Sequence, residues 1–365
     1  STQGVSSAAS DVYKRQLRLT PASQNEGLPA STRREYPARM ATPAATMAWM
    51  LDADPALRWQ VERDLLGAPA DVWRSTRARV STEGFGAALL AAQDPDGRWD
   101  GGAHFPGDFF GTAEAEQPGQ PWTATSWSLN QLREWGVPAA ALGDTADRLA
   151  RNCRWEYDDM PFWGGEIDVC INAFTLANGA WLGADVSRLV RWFPEHRLAD
   201  GGWNCEAEEG DSVRSSFHST LNALRGMLSY ELATGDTSLR STRHAGEEYL
   251  LRRQLMFRAS TGELVDGFVV RFVYPSRHQY SALAALDYFR DASQSDRTAR
   301  DPRTDAAVEL VRAARQADGS WLQGPPLEGR TWFAVDAAEG APSRWLTLIG
   351  TRVLEWADRG SSPDA

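Results

Sequence analysis

Lysine is almost missing from this 365-residue chain: Lys14 is the single copy, and arginine supplies the rest of the 38 Lys and Arg residues. Cysteine is nearly as scarce, with only Cys153, Cys170 and Cys205. An odd, sparse set of thiols excludes a disulfide scaffold and leads us to expect a reducing compartment, the cytoplasm. No run approaches the ~18 consecutive apolar residues of a membrane-spanning helix, and the N-terminus lacks the apolar middle of a secretory signal. Any membrane contact is therefore expected to be peripheral. Positive charge is in deficit, with 38 basic residues against 49 acidic ones and a formal net charge of −11. That sign argues against nucleic acid as a partner.

The chain does hold 42% hydrophobic residues and 16 tryptophans, enough for a sizeable core. None of those tryptophans falls in residues 1–39, the segment that carries Lys14. Ser6-Ser-Ala-Ala-Ser-Asp-Val-Tyr-Lys-Arg-Gln16 reads like translated sequencing adaptor, so we expect 1–39 to be a non-native or disordered extension, with the natural start at Met40 or Met47. Setting it aside leaves 32 basic against 46 acidic residues, a net charge of −14.

From Met40 onward apolar residues recur at helical spacing. Helices are expected over 55–66, 70–80, 84–93, 123–135, 144–153, 169–182, 186–192, 217–233, 242–258, 279–290, 304–316 and 343–356. No segment shows strand alternation and no interdomain linker interrupts the series, so 40–365 reads as one all-α domain.

Inside this pattern lies a repeat. Leu89-Leu-Ala-Ala-Gln93-Asp-Pro-Asp-Gly97-Arg-Trp99 is echoed by Val311-Arg-Ala-Ala-Arg-Gln316-Ala-Asp-Gly319-Ser-Trp321 and, more faintly, by Leu198-Ala-Asp-Gly201-Gly-Trp203. The glycine stops a helix in the left-handed conformation, and the tryptophan is expected to pack back over the helix just ended. Trp163-Gly-Gly165 and Gln254 to Gly262 read as degenerate copies. Units of this kind bury their apolar faces by stacking or closing on one another.

These Gln-x(2–3)-Gly-x-Trp units resemble the QW repeats of the terpenoid cyclase and protein prenyltransferase superfamily, over essentially Met40 to Trp356. The resemblance implies a single α/α toroid, of the α6/α6 type, in which inner helices run parallel inside an outer ring. It also implies that the N-termini of the helices at 169, 217 and 279 share one rim. Thiolate, carboxylate and imidazole are zinc donors, and that rim would hold Asp168, Cys170, His218 and His278. Gly164-Gly-Glu-Ile-Asp168-Val-Cys170 and Ser216-Phe-His218-Ser-Thr220 look like the two zinc-bearing stretches of prenyltransferase β subunits. By that likeness Asp168, Cys170 and His218 are the expected Zn2+ ligands and catalytic centre, with Cys205 as a fourth donor that would make the site structural. Asp168 reads equally as a plain helix cap.

Departures from that family are as informative. No Lys or Arg lies between Arg154 and Arg188, and Ile171 follows Cys170, so the usual diphosphate clamp is missing; Arg214, Arg225, Arg271 and Arg277 are the available substitutes. Peptide prenylation with an α-type partner subunit is therefore not expected. Glu156-Tyr-Asp158-Asp159 is the nearest approach to the acidic motif of triterpene cyclases, with Asp159 as an alternative general acid for an acid-initiated cyclase; a solvated acidic turn is the plainer reading. Trp127, Trp163, Trp181, Phe174, His278 and Tyr280 are the expected lining for an apolar, isoprenoid-like ligand in a central cavity, with Trp122, Tyr288, Thr123 and Thr125 nearby. His104, His196 and His244 read as loop or surface residues, and 101–120 as a lid or an insertion. Three functions follow: a zinc-bearing prenyltransferase- or cyclase-like enzyme, an acid-initiated cyclase, or a noncatalytic toroidal binding module with a structural metal.

Overall fold

The computed structural model describes residues 42–359; the expected extension 1–39 and the start at Met40 lie outside them. The helices are α1 (Ala44–Leu51), α2 (Pro55–Asp64), α3 (Ala70–Arg79), α4 (Gly84–Ala91), α5 (Thr125–Glu134), α6 (Thr145–Asn152), α7 (Val169–Leu182), α8 (Ser187–Glu195), α9 (Phe217–Thr234), α10 (Arg240–Leu251), α11 (Ala282–Asp296), α12 (Asp305–Ala313) and α13 (Arg344–Arg359). Strands are confined, among the described residues, to an antiparallel pair of two residues each, β1 (Trp321–Leu322) with β2 (Pro342–Ser343). The fold is all-α, as the periodicity predicts.

Local chemistry sets the helix ends. Asp54 accepts the Ala56 N–H at 2.8 Å ahead of Pro55, a residue already fixed at helical φ at the first turn of α2. Ser216 and Ser281 cap α9 and α11 in the same way. Two boundaries depart from expectation. The helix predicted over 242–258 stops at Leu251, because Gln254 and Leu255 turn left-handed at φ 47° and 63°. The one predicted over 279–290 runs instead from Ala282 to Asp296, since Ser281 is its extended cap. α1 was not foreseen.

Packing follows a cyclic order. α5 contacts α7, α7 contacts α9, α9 contacts α11, α11 contacts α13, and α13 contacts α2. The Trp59 indole on α2 donates to the Trp135 carbonyl at 2.8 Å, and Gln60 to that of Glu134 at 3.3 Å, so the series returns to the end of α5. The remaining helices pack against members of this set, for example α10 against α9, α8 against α7, and α12 against α11 and α13.

The three glycine turns share one hydrogen-bond pattern. Gly97, Gly201 and Gly319 have φ of 95°, 108° and 87°, in the region where a Cβ would strain the backbone. Each following tryptophan sends its indole N–H back ten residues to the helix just ended: Trp99 to the Leu89 carbonyl at 2.8 Å, Trp203 to Phe193 at 3.0 Å, Trp321 to Val311 at 3.0 Å. The backbone N–H of each donates at 3.1 Å to a threonine on the next helix of the cyclic series, Thr125, Thr220 and Thr347 in turn. Each tryptophan thus ties the helix before it to the helix after it. Neither expected degenerate copy keeps the pattern: the Trp163 indole bonds Ala146, seventeen residues back, and Gln254 lies in a left-handed turn with no tryptophan beside it.

Candidate functional site

Asp168 occupies the N-cap position of α7, but its side chain makes no capping bond. The plain capping role is thus unfilled, and the preceding turn is held instead by Asn172, which accepts the Glu166 N–H at 2.8 Å and donates to the Glu166 carbonyl at 2.9 Å. Within the first turn of the helix Cys170 is buried, and Cys205, on the loop before α9, places its Sγ 3.3 Å away. Asn222 on α9 brings its amide 3.3 Å from the Cys170 sulfur and 2.9 Å from the His278 carbonyl. The beginnings of α7 and α9 and the segment before α11 therefore meet at one end of the helix set. Asn222 was not singled out from the sequence, although it stands one turn after His218 on the same face of α9.

Electrostatics at this corner are acidic. Burial raises the Asp168 carboxyl well above the usual range, reinforced by the Cys205 thiol and by Glu166, Glu209 and Glu206. Glu166, itself buried, is pushed up to about 8, first by desolvation and then by Glu156 among its charged neighbours. Desolvation and mutual repulsion favour the protonated forms of such carboxyls unless a cation supplies the missing charge. A surface cleft of about 310 Å³, lined by Glu166, Ile167, Arg188, Trp192, His196 and Glu208, opens beside it.

His218 is held differently from a metal ligand. Its Nδ1 accepts the Tyr280 N–H at 2.9 Å, so in the neutral ring the proton sits on Nε2. Burial pushes its pKa down to about 4 and keeps it neutral. A ligating imidazole usually donates its second nitrogen to an acceptor; here that nitrogen faces a donor. Asp168, Cys170 and Cys205 are zinc-type donors and the two sulfurs are close, but among the described residues no three donors that include them lie within 4.8 Å of one another, and His218 fits only after the Tyr280 bond is broken. Among the described residues, three metal-type donors lie within 4.8 Å of one another at His244, Glu247 and Asp296, a group whose carboxylates are already bonded to the buried Arg243.

The expected aromatic lining divides into two sets. Trp127, Phe174 and His278 converge with Trp122: ring centroids are 4.7 Å apart for Trp122 and Trp127, 5.6 Å for Trp127 and Phe174, and 6.1 Å for Trp127 and His278. Trp163, Trp181 and Tyr280 are placed elsewhere. Trp163 is tied to Ala146, the Tyr280 hydroxyl donates to Leu255 at 2.7 Å, and Trp181 packs on the core at the far end of α7. Thr123 and Thr125 are buried and bonded to Asp100 and Gly102.

His104, read as a loop or surface residue, is 2% exposed and sits 4.7 Å from the Trp127 ring. Its segment is anchored at its start. The Glu156 carboxylate accepts the N–H groups of Ala103, His104 and Phe105, and Phe105 stacks on Phe109 at 5.2 Å, both buried. The acidic motif is thereby divided: Glu156 anchors this segment, while Asp158 and Asp159 are exposed in a turn at φ 50° and 53°.

Further along the same helices the lining is charged. Arg352 on α13 bonds Asp287 on α11 at 2.6 Å and Asp64 on α2 at 3.0 Å. Glu134, at the end of α5, is exposed, yet desolvation raises its carboxyl, with Arg225, Arg133 and Arg352 opposing. An exposed group whose charge is still desolvated stands in a concavity rather than on an open face. The expected aromatic lining is therefore gathered near Trp127, and the helix faces beyond it carry ion pairs.

No family model matches the chain, and no curated protein does. Among solved structures, it is similar to a protein from Actinoplanes at 16% identity and a TM-score of 0.39, over 84% of this chain and 90% of that one. A type II terpene cyclase from Scytonema, solved with its product merosterolic acid A, is similar at 13% identity and a TM-score of 0.23, over 78% of this chain and 97% of that one. Likeness at this level assigns neither a fold family nor an activity to the chain.

Proposed function

We propose that the chain is a single α/α toroid of the terpenoid cyclase and prenyltransferase kind, acting on an isoprenoid or similar apolar molecule at its aromatic end. The observation that carries this reading is the convergence of Trp122, Trp127, Phe174 and His278, from separate segments, at the end of the helix set that also bears Asp168 and Cys170. Aromatic faces suit polyene chains and, in an enzyme, cationic intermediates derived from them. The cyclic helix order and the repeated tryptophan ties support the toroid.

Asp168, Cys170 and Cys205 would hold a zinc ion, whose chemistry is that of a Lewis acid able to polarise a bound oxygen or sulfur group. Around it, this chain's own residues keep the site ordered: Asn222 fixes the Cys170 sulfur relative to the His278 backbone, and Tyr280 sets the His218 tautomer. The closeness of Cys205 to Cys170 favours one competing reading, a structural metal site in a noncatalytic binding module. The exposure of Asp159 gives an acid-initiated cyclase no comparable support.

The test is turnover and binding on the full chain. Farnesyl diphosphate, geranylgeranyl diphosphate and squalene are incubated with it and products are read by mass spectrometry, while farnesol binding is followed by tryptophan fluorescence. Farnesol binding with turnover of one substrate supports the enzyme; binding without turnover selects the module; absence of both removes the apolar-ligand reading. Elemental analysis of the protein alongside Cys170→Ser, Cys205→Ser and His218→Ala decides the metal: loss of zinc in the two serine variants, with retention in His218→Ala, is expected.

A further inference from the structure

Several arginines set between the helices of this protein are paired with carboxylates. Arg243 bonds Glu231, Glu247 and Asp296; Arg352 bonds Asp287 and Asp64; Arg290 lies against Asp64, Asp287 and Asp291. Arg133 and Arg225 have no ion pair among the described residues but bond Asn178, Ser229 and the Ala284 carbonyl, whereas Arg277 bonds nothing. Among the described residues its guanidinium has no carboxylate within 4.0 Å and no hydrogen bond, and Nη1 is shielded from solvent without a partner. It lies over the face of Trp122, 5.1 Å from the ring centroid.

An arginine cannot escape burial by losing its proton, so an unpaired guanidinium here costs stability that a cation–π contact of ~1 kcal/mol only partly returns. Burial pulls its pKa down to about 10, with Tyr274 and Glu134 as the acidic groups opposing the shift. Two residues before Trp122, Gln120 is 2% exposed and both atoms of its amide lack partners. An orphaned guanidinium nitrogen thus lies over Trp122, and an orphaned amide stands two residues before it in sequence, at the edge of the aromatic wall formed with Trp127 and His278.

We propose that Arg277 binds the oxyanion of an amphiphilic ligand, a carboxylate or phosphate, whose apolar part lies along Trp122 and Trp127. The proposal deepens the apolar-ligand reading by naming the polar end of that ligand. It is nonetheless testable without an isoprenoid, because a small anion needs only the guanidinium and the Trp122 face. Arg277 is a binding residue in this scheme and takes part in no bond-making.

The experiment measures tryptophan fluorescence of the full chain against benzoate and inorganic phosphate, and then against farnesol, farnesoate and farnesyl phosphate. A charge-assisted, desolvated hydrogen bond predicts that farnesoate or farnesyl phosphate binds about 10- to 100-fold more tightly than farnesol. The preferred one of the two identifies carboxylate or phosphate. Arg277→Met abolishes the preference, Arg277→Lys restores part of it, and Arg277→Met leaves the melting temperature of the ligand-free chain unchanged or higher. Farnesol binding with no preference for either anion overturns the proposal while leaving the apolar site intact. Saturable quenching by benzoate or phosphate that Arg277→Met removes upholds it even if farnesol fails to bind. A lowered melting temperature in Arg277→Met, reproduced by Glu134→Gln, shows that Arg277 is instead paired with Glu134 through solvent, and also overturns it.

Discussion

Replacing Trp321 by Phe removes one bond of the repeated turn while keeping an aromatic ring in place. The Trp321 side chain is 1% exposed, and its indole N–H satisfies the Val311 carbonyl at the end of α12 at 3.0 Å. Loss of the donor leaves a buried carbonyl unpaired, at ~1–3 kcal/mol. The contraction from indole to phenyl leaves a small void, adding ~1 kcal/mol at ~24 cal/mol per Å³. The sum is about 2–4 kcal/mol. Thr347→Val, which preserves shape but takes away the acceptor of the Trp321 N–H at 3.1 Å, should cost ~1–3 kcal/mol through the other half of the tie. Urea unfolding, followed by far-UV dichroism and fluorescence together so that a shared midpoint can be verified, measures both. The equivalent changes Trp99→Phe and Trp203→Phe should fall in the same range, since their bonds repeat at the same ten-residue offset. If Trp321→Phe costs less than ~1 kcal/mol, the indole bond contributes no tie and the repeat is only a packing pattern.

Arg243→Met should be more damaging than any tryptophan change, by ~3–5 kcal/mol, because it abandons Glu231, Glu247 and Asp296 around a cation that is fully buried; a urea midpoint shift corresponding to under ~1 kcal/mol would show that these carboxylates are hydrated. Oxidation with diamide should take the two hydrogens from Cys170 and Cys205, whose sulfurs are 3.3 Å apart, leaving Cys153 as the one thiol that reacts with maleimide after unfolding; three reactive thiols would place the pair beyond reach. Glu166 has its folded pKa raised to about 8, so its contribution to stability is present below its ordinary range and is lost as pH rises toward 8. Glu166→Gln should accordingly raise the melting temperature at pH 8.5 and leave it nearly unchanged at pH 5. His218 and His278 have the opposite sign: burial lowers them to about 4 and about 3, so their contribution is complete above their ordinary pKa and is lost as pH falls below it. Melting temperatures of His278→Gln and the unmodified chain should converge toward pH 4.5; an unchanged difference from pH 7 to 4.5 would mean that His278 is hydrated in the folded protein.

The helices were legible because their information is local. Apolar residues at helical spacing, and glycine followed two residues later by tryptophan, each act within one turn of chain, and Gly97, Gly201 and Gly319 all take the left-handed conformation that the pattern demands. Boundaries failed where the deciding residue had no such signature. Leu255 at φ 63° is an apolar residue in a conformation that costs it energy, and nothing in its neighbours announces that α10 has already ended at Leu251. The segment 101–120 was opaque for a related reason. Its order depends on Glu156, some fifty residues later, accepting three consecutive N–H groups, a long-range bond that composition cannot encode.

The site shows the same division between residue type and orientation. Sequence supplied the thiols, carboxylate and imidazole, and the structure brings the Cys170 and Cys205 sulfurs together, with the Asn222 amide bonded both to Cys170 and to the His278 backbone. The direction of the Tyr280 N–H was not available from residue types, yet it decides which His218 nitrogen carries the proton and therefore whether that ring can reach a metal. Arg277 makes the same point from the other side. In the sequence it was one of several arginines; in the structure its lack of a partner distinguishes it from Arg243, Arg290 and Arg352, which are compensated. A buried charge without its counter-charge is a stability cost that packing alone gives no reason to retain. The oxyanion assigned to Arg277 supplies that reason, and it sets the polar end of the ligand over the Trp122 face.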